Sequence, residues 1–183
     1  MFGIFRRDRG AGDIAHALYG AIVAQARQPA LYADFGVPDT VEGRFEMVVL
    51  HLALLLRRLR GEGEAGRAAG QHLFDLFCAD MDRSLRAMGV GDLGVPKRMK
   101  KMGEAFYGRA AAYDAAIDAG DRQALADAFA RNVFAGTAAG GAAPMAEYAL
   151  TILTDLGGQA GSEILAGRVI MPAAVAPERA GLQ

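Results

Sequence analysis

One segment constrains the fold of this chain more than any other: between Thr40 and Gly61 a helical pattern carries apolar residues on two opposite faces. Phe45, Val48, Val49, Leu52, Leu55, Leu56 and Leu59 share a wide stripe, and Met47, Leu50 and Leu54 form a second one roughly opposite. A helix that is apolar on both sides is stable in water only when other elements, or a partner, cover it on both sides. The segment is therefore expected at the centre of the fold, started by the capping-box pattern Asp39-Thr40-Val41-Glu42 and closed by Gly61.

The same three- and four-residue spacing recurs along the chain, and the alternation of half-buried strands is almost absent. With 183 residues, enough for one sizeable core, the sequence predicts an all-α, single-domain bundle of six to seven helices around a central apolar helix at about residues 40–60. The first helix is expected from Asp13 to Gln28, with Ile14, Leu18 and Ile22 inward and Pro29 as a stop. Gly61, Gly63, Gly66 and Gly70 predict a polar loop before a third helix from Gln71 to Met88, where Gly89 is placed to act as a left-handed cap. Pro96 opens a fourth helix that directs Met99, Met102, Phe106 and Tyr113 into one arc. Asp121 caps a fifth, 136–143 reads as a flexible connection, a sixth starts at Pro144, and Ser162-Glu163 begins a short last one. The expected division is a flexible segment at 1–12, a helical domain at 13–171 and a disordered tail at 172–183.

Lys plus Arg number 20 and Asp plus Glu 21, so the formal charge of −1 argues against bulk binding to DNA. The charge is unevenly spread: residues 1–109 hold 16 cations and 13 acids, whereas 110–183 hold 4 and 8. Any basic surface is expected in the first part. Its densest point is Lys97, Arg98, Lys100 and Lys101, at the start of the fourth helix, where the helix dipole disfavours cations. Something other than helix stability is expected to retain them. The single Cys78 rules out an internal disulfide framework, and the longest apolar run, Met47 to Leu56, is half the length of a membrane span and contains His51. With no secretory apolar core at its start, the chain is expected to be cytoplasmic, and its Ala-, Gly- and Arg-rich composition reads as bacterial. Phe2, Ile4 and Phe5 beside Arg6, Arg7 and Arg9 add the expectation of peripheral contact at the inner face of the cytoplasmic membrane.

Catalytic chemistry has little support. His16, His51 and His72 form no His-x-x-x-His or Glu-x-x-His pair, no phosphate-cradling glycine motif occurs, and Ser84 and Ser162 have no local base. The alternative to a protein-binding role is a small-ligand- or metal-binding helical enzyme centred on His72, Asp75 and Asp80, or a generic helical adaptor. No catalytic residue, metal ligand or cofactor is assigned. If the third and fourth helices pack as an antiparallel hairpin, Asp80 and Arg109 are expected to form a partly buried ion pair. His51, between the two apolar faces, is expected to be buried or to contact a partner.

Three stretches carry a family resemblance. They are Phe77-Cys-Ala-Asp-Met-Asp-Arg-Ser-Leu-Arg-Ala-Met-Gly-Val-Gly-Asp92, then Val95-Pro-Lys-Arg-Met-Lys-Lys-Met102, then Ala105-Phe-Tyr-Gly-Arg109, supported upstream by Leu31-Tyr32 and Glu42-Gly-Arg-Phe-Glu-Met47. Together they resemble the signature of the ubiquinol–cytochrome c chaperone family, assembly factors for the respiratory cytochrome bc1 complex. The resemblance covers about Leu31 to Ala116. It implies an all-helical, non-catalytic chaperone that binds newly made cytochrome b or a bc1 assembly intermediate. It also implies contact with the ribosome or with a small protein partner. On this reading Lys97, Arg98, Lys100, Lys101, Glu104 and Tyr107 form the partner-binding surface, and Asp80, Asp82, Gly89, Asp92, Pro96 and Arg109 form its structural motif. A mean hydropathy of +0.15 without a membrane span is compatible with an exposed apolar surface for such a client.

Overall fold

A computed structural model describes the backbone of residues 3–135 and 139–175, with side chains described over 12–135 and 140–175. Among the described residues there are six long helices: α1 (Gly3–Ala26), α3 (Val41–Arg60), α4 (Gly63–Ala87), α5 (Val95–Asp118), α6 (Arg122–Asn132) and α7 (Ala142–Gly158). Two short ones accompany them: α2 (Pro29–Ala33), between α1 and α3, and α8 (Gly161–Ile164), after α7. Among the described residues there is no strand.

Helix α3 is the axis of the bundle, as its two apolar faces require. It packs against α1, α4, α5 and α7, and Met47, Val49, Leu50, Leu52, Leu54 and Leu55 are all fully buried. Thr40 caps it, its hydroxyl accepting from the Gly43 amide at 3.1 Å, and Arg57, Arg58 and Arg60 lie in the last turn where the helix dipole favours cations. Arg58 does more than that. Its Nε donates to the Leu156 carbonyl at 2.8 Å and an Nη to that of Gln159 at 3.0 Å, satisfying the open end of α7, while its other Nη pairs with Glu62.

The expected loop at Gly61 to Gly70 is helix instead. α4 begins at Gly63, whose φ of 66° suits glycine, and runs unbroken for 25 residues. Its glycines serve close packing against α3: a Cβ on Gly66 would lie 2.0 Å from the Leu59 carbonyl oxygen, and one on Gly70 would meet the Leu56 side chain at 3.2 Å. Composition alone reads such a run as loop; the neighbouring backbone turns it into a contact face. Gly66→Ala is accordingly expected to lower stability by about 2 kcal/mol, through forced displacement of α4 from α3, as measured by urea unfolding. A variant within experimental error of the parent chain would refute that packing argument.

Other boundaries also differ from the sequence expectation. α1 starts at Gly3, ten residues before Asp13, and Leu31-Tyr32 lie in the unexpected α2, where Leu31 is fully buried. In the segment expected as a disordered tail, residues 172–175 pack on the bundle: Ala174 is 5 % exposed, its amide donates to Gln28 Oε1 at 2.7 Å, and the Pro172 carbonyl accepts from Gln25 Nε2 at 2.6 Å. The rest of that segment, 176–183, lies outside the described residues, as do residues 136–138 of the expected connection at 136–143. Within that connection, Ala139–Gly141 forms a 3-10 turn and Ala142 is buried.

Candidate functional site

The turn joining α4 to α5 is built by a few residues of the 80–96 stretch. Gly89 has a φ of 82°, the left-handed conformation that ends α4, and Pro96 sits in the first turn of α5, where its missing amide hydrogen costs no helical bond. Arg86 ties the turn together: its Nε donates to Asp82 at 2.7 Å and an Nη pairs with Asp92. Asp82 and Asp92 are thereby occupied in shaping the hairpin.

Beyond this turn the cations of α5 project outward. Lys97, Arg98, Lys100 and Lys101 are all exposed, and no acid lies in the first turn of α5. Lys100 has a loose contact with Glu104, at 3.9 Å with both side chains largely in solvent. Such an exposed pair contributes little to stability. Among the described residues Lys97, Arg98 and Lys101 have no ion-pair partner. Tyr107, one turn further along, is 62 % exposed. It is the solvent end of a chain of rings that runs into the core: Tyr107 to Phe74 at 5.5 Å between centroids, Phe74 to Phe106 at 5.1 Å, Phe106 to Phe77 at 5.9 Å and Phe77 to Phe45 at 6.2 Å. The outward side of α5 thus combines cations, a carboxylate and an aromatic ring held by packing from behind.

The expected ion pair between Asp80 and Arg109 does not form. Arg109 instead makes a bidentate pair with Glu46 of α3, Nε to Oε2 at 2.7 Å and Nη2 to Oε1 at 2.6 Å. Glu46 is 6 % exposed, and burial raises its pKa above the usual carboxylate value in spite of the guanidinium beside it. Asp80 accepts from the Tyr19 hydroxyl at 2.9 Å and lies 3.5 Å from Arg83. The physical reason is rotation: Arg109 faces α3, and Asp80 faces α1. Sequence reasoning did not single out Glu46; the signal it offered is an acid between Phe45 and Met47, at the start of the apolar run. Its pairing with Arg109 joins two of the stretches that carried the family resemblance.

His51 is fully buried, and its partners fix its tautomer. The Met47 carbonyl can only accept, so Nδ1 carries the hydrogen, at 2.6 Å; Nε2 of the neutral ring then accepts from the Tyr148 hydroxyl at 2.9 Å. Tyr148 in turn accepts from Gln25 Nε2 at 2.7 Å, the same amide nitrogen that holds Pro172. This buried relay links α3, α7, α1 and the segment after α8. Burial holds the His51 pKa down to about 4.

His72, Asp75 and Asp80 are not brought together. His72 is exposed, Asp75 accepts from Gln71 at 2.8 Å, and Asp80 is engaged by Tyr19. Among the described residues no group of three or more His, Cys, Asp or Glu converges to hold a metal ion. A feature that sequence reasoning missed is a surface cleft of about 490 Å³ lined by Arg27, Pro29, Tyr32, Ala33, Asp39 and Arg44. There Arg44 pairs with Asp39 at 2.6 Å and lies over the Tyr32 ring at 5.8 Å. None of the described helices is long and apolar enough to cross a membrane.

These features sit on a backbone with known relatives. The fold is similar to the crystal structure of the Cbp3 homolog from Brucella abortus, with a TM-score of 0.85 and 43 % sequence identity over 93 % of this chain and 96 % of that one. Two vertebrate relatives are ubiquinol-cytochrome c reductase complex assembly factor 1 from Xenopus laevis and from Homo sapiens. The Xenopus laevis protein is 28 % identical over 63 % of this chain and 58 % of its own length, and the human protein 31 % identical over 64 % and 39 %. The chain spans about half the length of these relatives. The family model described as ubiquinol-cytochrome C chaperone matches residues 33–171, a range that contains both Glu46 and Arg109 and the whole outward side of α5. With that match over most of its length, the chain belongs to the ubiquinol–cytochrome c chaperone family.

Proposed function

We propose that this protein is a non-catalytic assembly chaperone that binds newly made cytochrome b during biogenesis of the cytochrome bc1 complex, working peripherally at the inner face of the cytoplasmic membrane. The helical region 13–171 is the chaperone unit. Its client surface is the outward side of α5, with Lys97, Arg98, Lys100, Lys101, Glu104 and Tyr107 as contact residues. The observation that carries this assignment is the face itself: four exposed cations beside an exposed tyrosine anchored by stacked rings, in a position where helix stability gives no reason for the charge. The names of the relatives, assembly factors of the reductase complex, support the choice of client. Cytochrome b is an apolar membrane protein with polar loops, and a mixed cationic and aromatic surface suits the loops and their flanks.

The test is a gene deletion combined with client capture. Cells lacking the gene are expected to accumulate little assembled bc1 complex, and restoring the gene to return it. The triple charge reversal K97E/K100E/K101E is expected to lower cytochrome b recovered with the purified chain at least tenfold at unchanged far-UV helicity. Normal bc1 levels in the deletion strain, with cytochrome b intact, would overturn the assignment. Unimpaired capture by the variant would move the client site off α5.

A further inference from the structure

We infer that the tip of the α4–α5 hairpin is a lipid-contacting foot that seats on the surface of an anionic bilayer. Met88 and Leu93 are its apolar prongs, and Lys97, Arg98 and Lys101 are its headgroup contacts. The inference rests on the peripheral placement proposed above and assigns it a surface and a lipid class. Leu93 is 99 % exposed and Met88 57 %, the two exposed large apolar side chains of this hairpin turn. Neither belongs to a groove. They flank the turn that joins α4 to α5, Met88 just before Gly89 and Leu93 two residues before α5, so both are offered at one end of the hairpin.

Charge selects the kind of interface. Of the acids near the tip, Asp92 and Asp82 are engaged by Arg86, and Glu104 lies 3.9 Å from Lys100. Lys97, Arg98 and Lys101 are left, among the described residues, without an acidic partner. Exposed cations next to exposed aliphatic side chains match the boundary between anionic headgroups and acyl chains, where each cation near the surface raises partitioning about fivefold. The turn is shaped by Gly89, Pro96 and the Arg86 pairs, which reduces the ordering cost of presenting the prongs. Seated this way, α5 leads away from the bilayer. Tyr107, six residues past Lys101, then lies about 9 Å along the helix from the nearest headgroup contact. The client surface is held beside the membrane in which the client resides.

Protein-free vesicles separate this inference from the client reading. The purified chain is expected to sediment with vesicles of phosphatidylcholine containing about one third phosphatidylglycerol, to remain in the supernatant with phosphatidylcholine alone, and to be released by salt. Leu93→Asp combined with Lys97→Glu and Arg98→Glu is expected to lower that partitioning roughly twentyfold or more. The chain has no tryptophan, so Leu93→Trp provides a single reporter. Its emission is expected to shift to the blue with anionic vesicles, whereas Ile170→Trp, on a side chain 77 % exposed elsewhere, stays unshifted. Equal binding to both vesicle types, no binding to either, or an emission shift at position 93 with client but never with lipid would each overturn the lipid foot. Those results leave the capture experiment on cytochrome b standing. Failure of the parent chain to capture cytochrome b, with its vesicle binding intact, would sink the client reading alone.

Discussion

Replacing Arg109 with alanine is expected to lower the free energy of unfolding by about 3 kcal/mol, a large share of the stability of a domain this size. The loss would come less from the attraction given up than from the carboxylate left behind. Glu46 is 6 % exposed, and its two oxygens are held by the two nitrogens of one guanidinium. Without that partner the group must be buried as an uncompensated charge or take up a proton, and its pKa, already raised by burial, would rise further. The double variant Glu46→Met, Arg109→Met is therefore expected to recover most of the loss, because two apolar side chains of similar volume need no compensation. Urea unfolding at neutral pH measures both. An Arg109→Ala variant within about 1 kcal/mol of the parent chain would show that the pair is well solvated and the argument wrong.

Acid is expected to weaken the fold through His51. In the unfolded chain this imidazole titrates near 6.5, whereas in the folded chain burial holds it down to about 4. Between those values the unfolded state binds a proton that the folded state refuses, so stability is fully present above pH 6.5 and falls as the pH drops toward 4. A shift of this size corresponds to roughly 3 kcal/mol. The structural consequence is specific: a protonated Nε2 can no longer accept from Tyr148, and the relay to Gln25 and the Pro172 carbonyl loses its direction. Glu46 acts with the opposite sign. Its raised folded pKa means that the native state gains a proton first, so acidification through that pKa favours the fold. The His51 contribution is thus read as the difference between the parent chain and His51→Gln. The variant is expected to be less stable at neutral pH and to have a flatter profile between pH 6.5 and 4. Parallel profiles would mean that His51 titrates freely.

Much of this architecture was legible in local sequence. Thr40 and Asp121 accept from the amides three residues on, Gly89 turns left-handed after α4, and Pro96 opens α5, because caps and turn residues act within one turn of helix. The doubly apolar segment at 41–60 fixed its own place, since no surface position satisfies it. Exposure of Lys97, Lys100 and Lys101 followed from the arc of Met99, Met102 and Phe106 opposite them. The glycines at 61–70 misled for an equally physical reason. Glycine lowers helix propensity by about 1 kcal/mol per residue, and the Leu59 carbonyl and Glu62 Cβ pressing on Gly66 explain its use there.

The sequence by itself determined the class of the fold, the central helix, the hairpin turn and the family, all of which rest on spacing within an element or on contiguous motifs. The tertiary structure decided which polar groups meet: Arg109 with Glu46 and not Asp80, Asp80 with Tyr19, His51 with Tyr148, Gln25 with residue 172. These choices depend on how each helix is rotated about its axis and on contacts 60 to 150 residues apart in sequence, as between Gln25 and Pro172 with a separation of 147. A single turn of helix has several residues able to face a neighbour. Packing of the apolar core selects among them, and the buried charges follow.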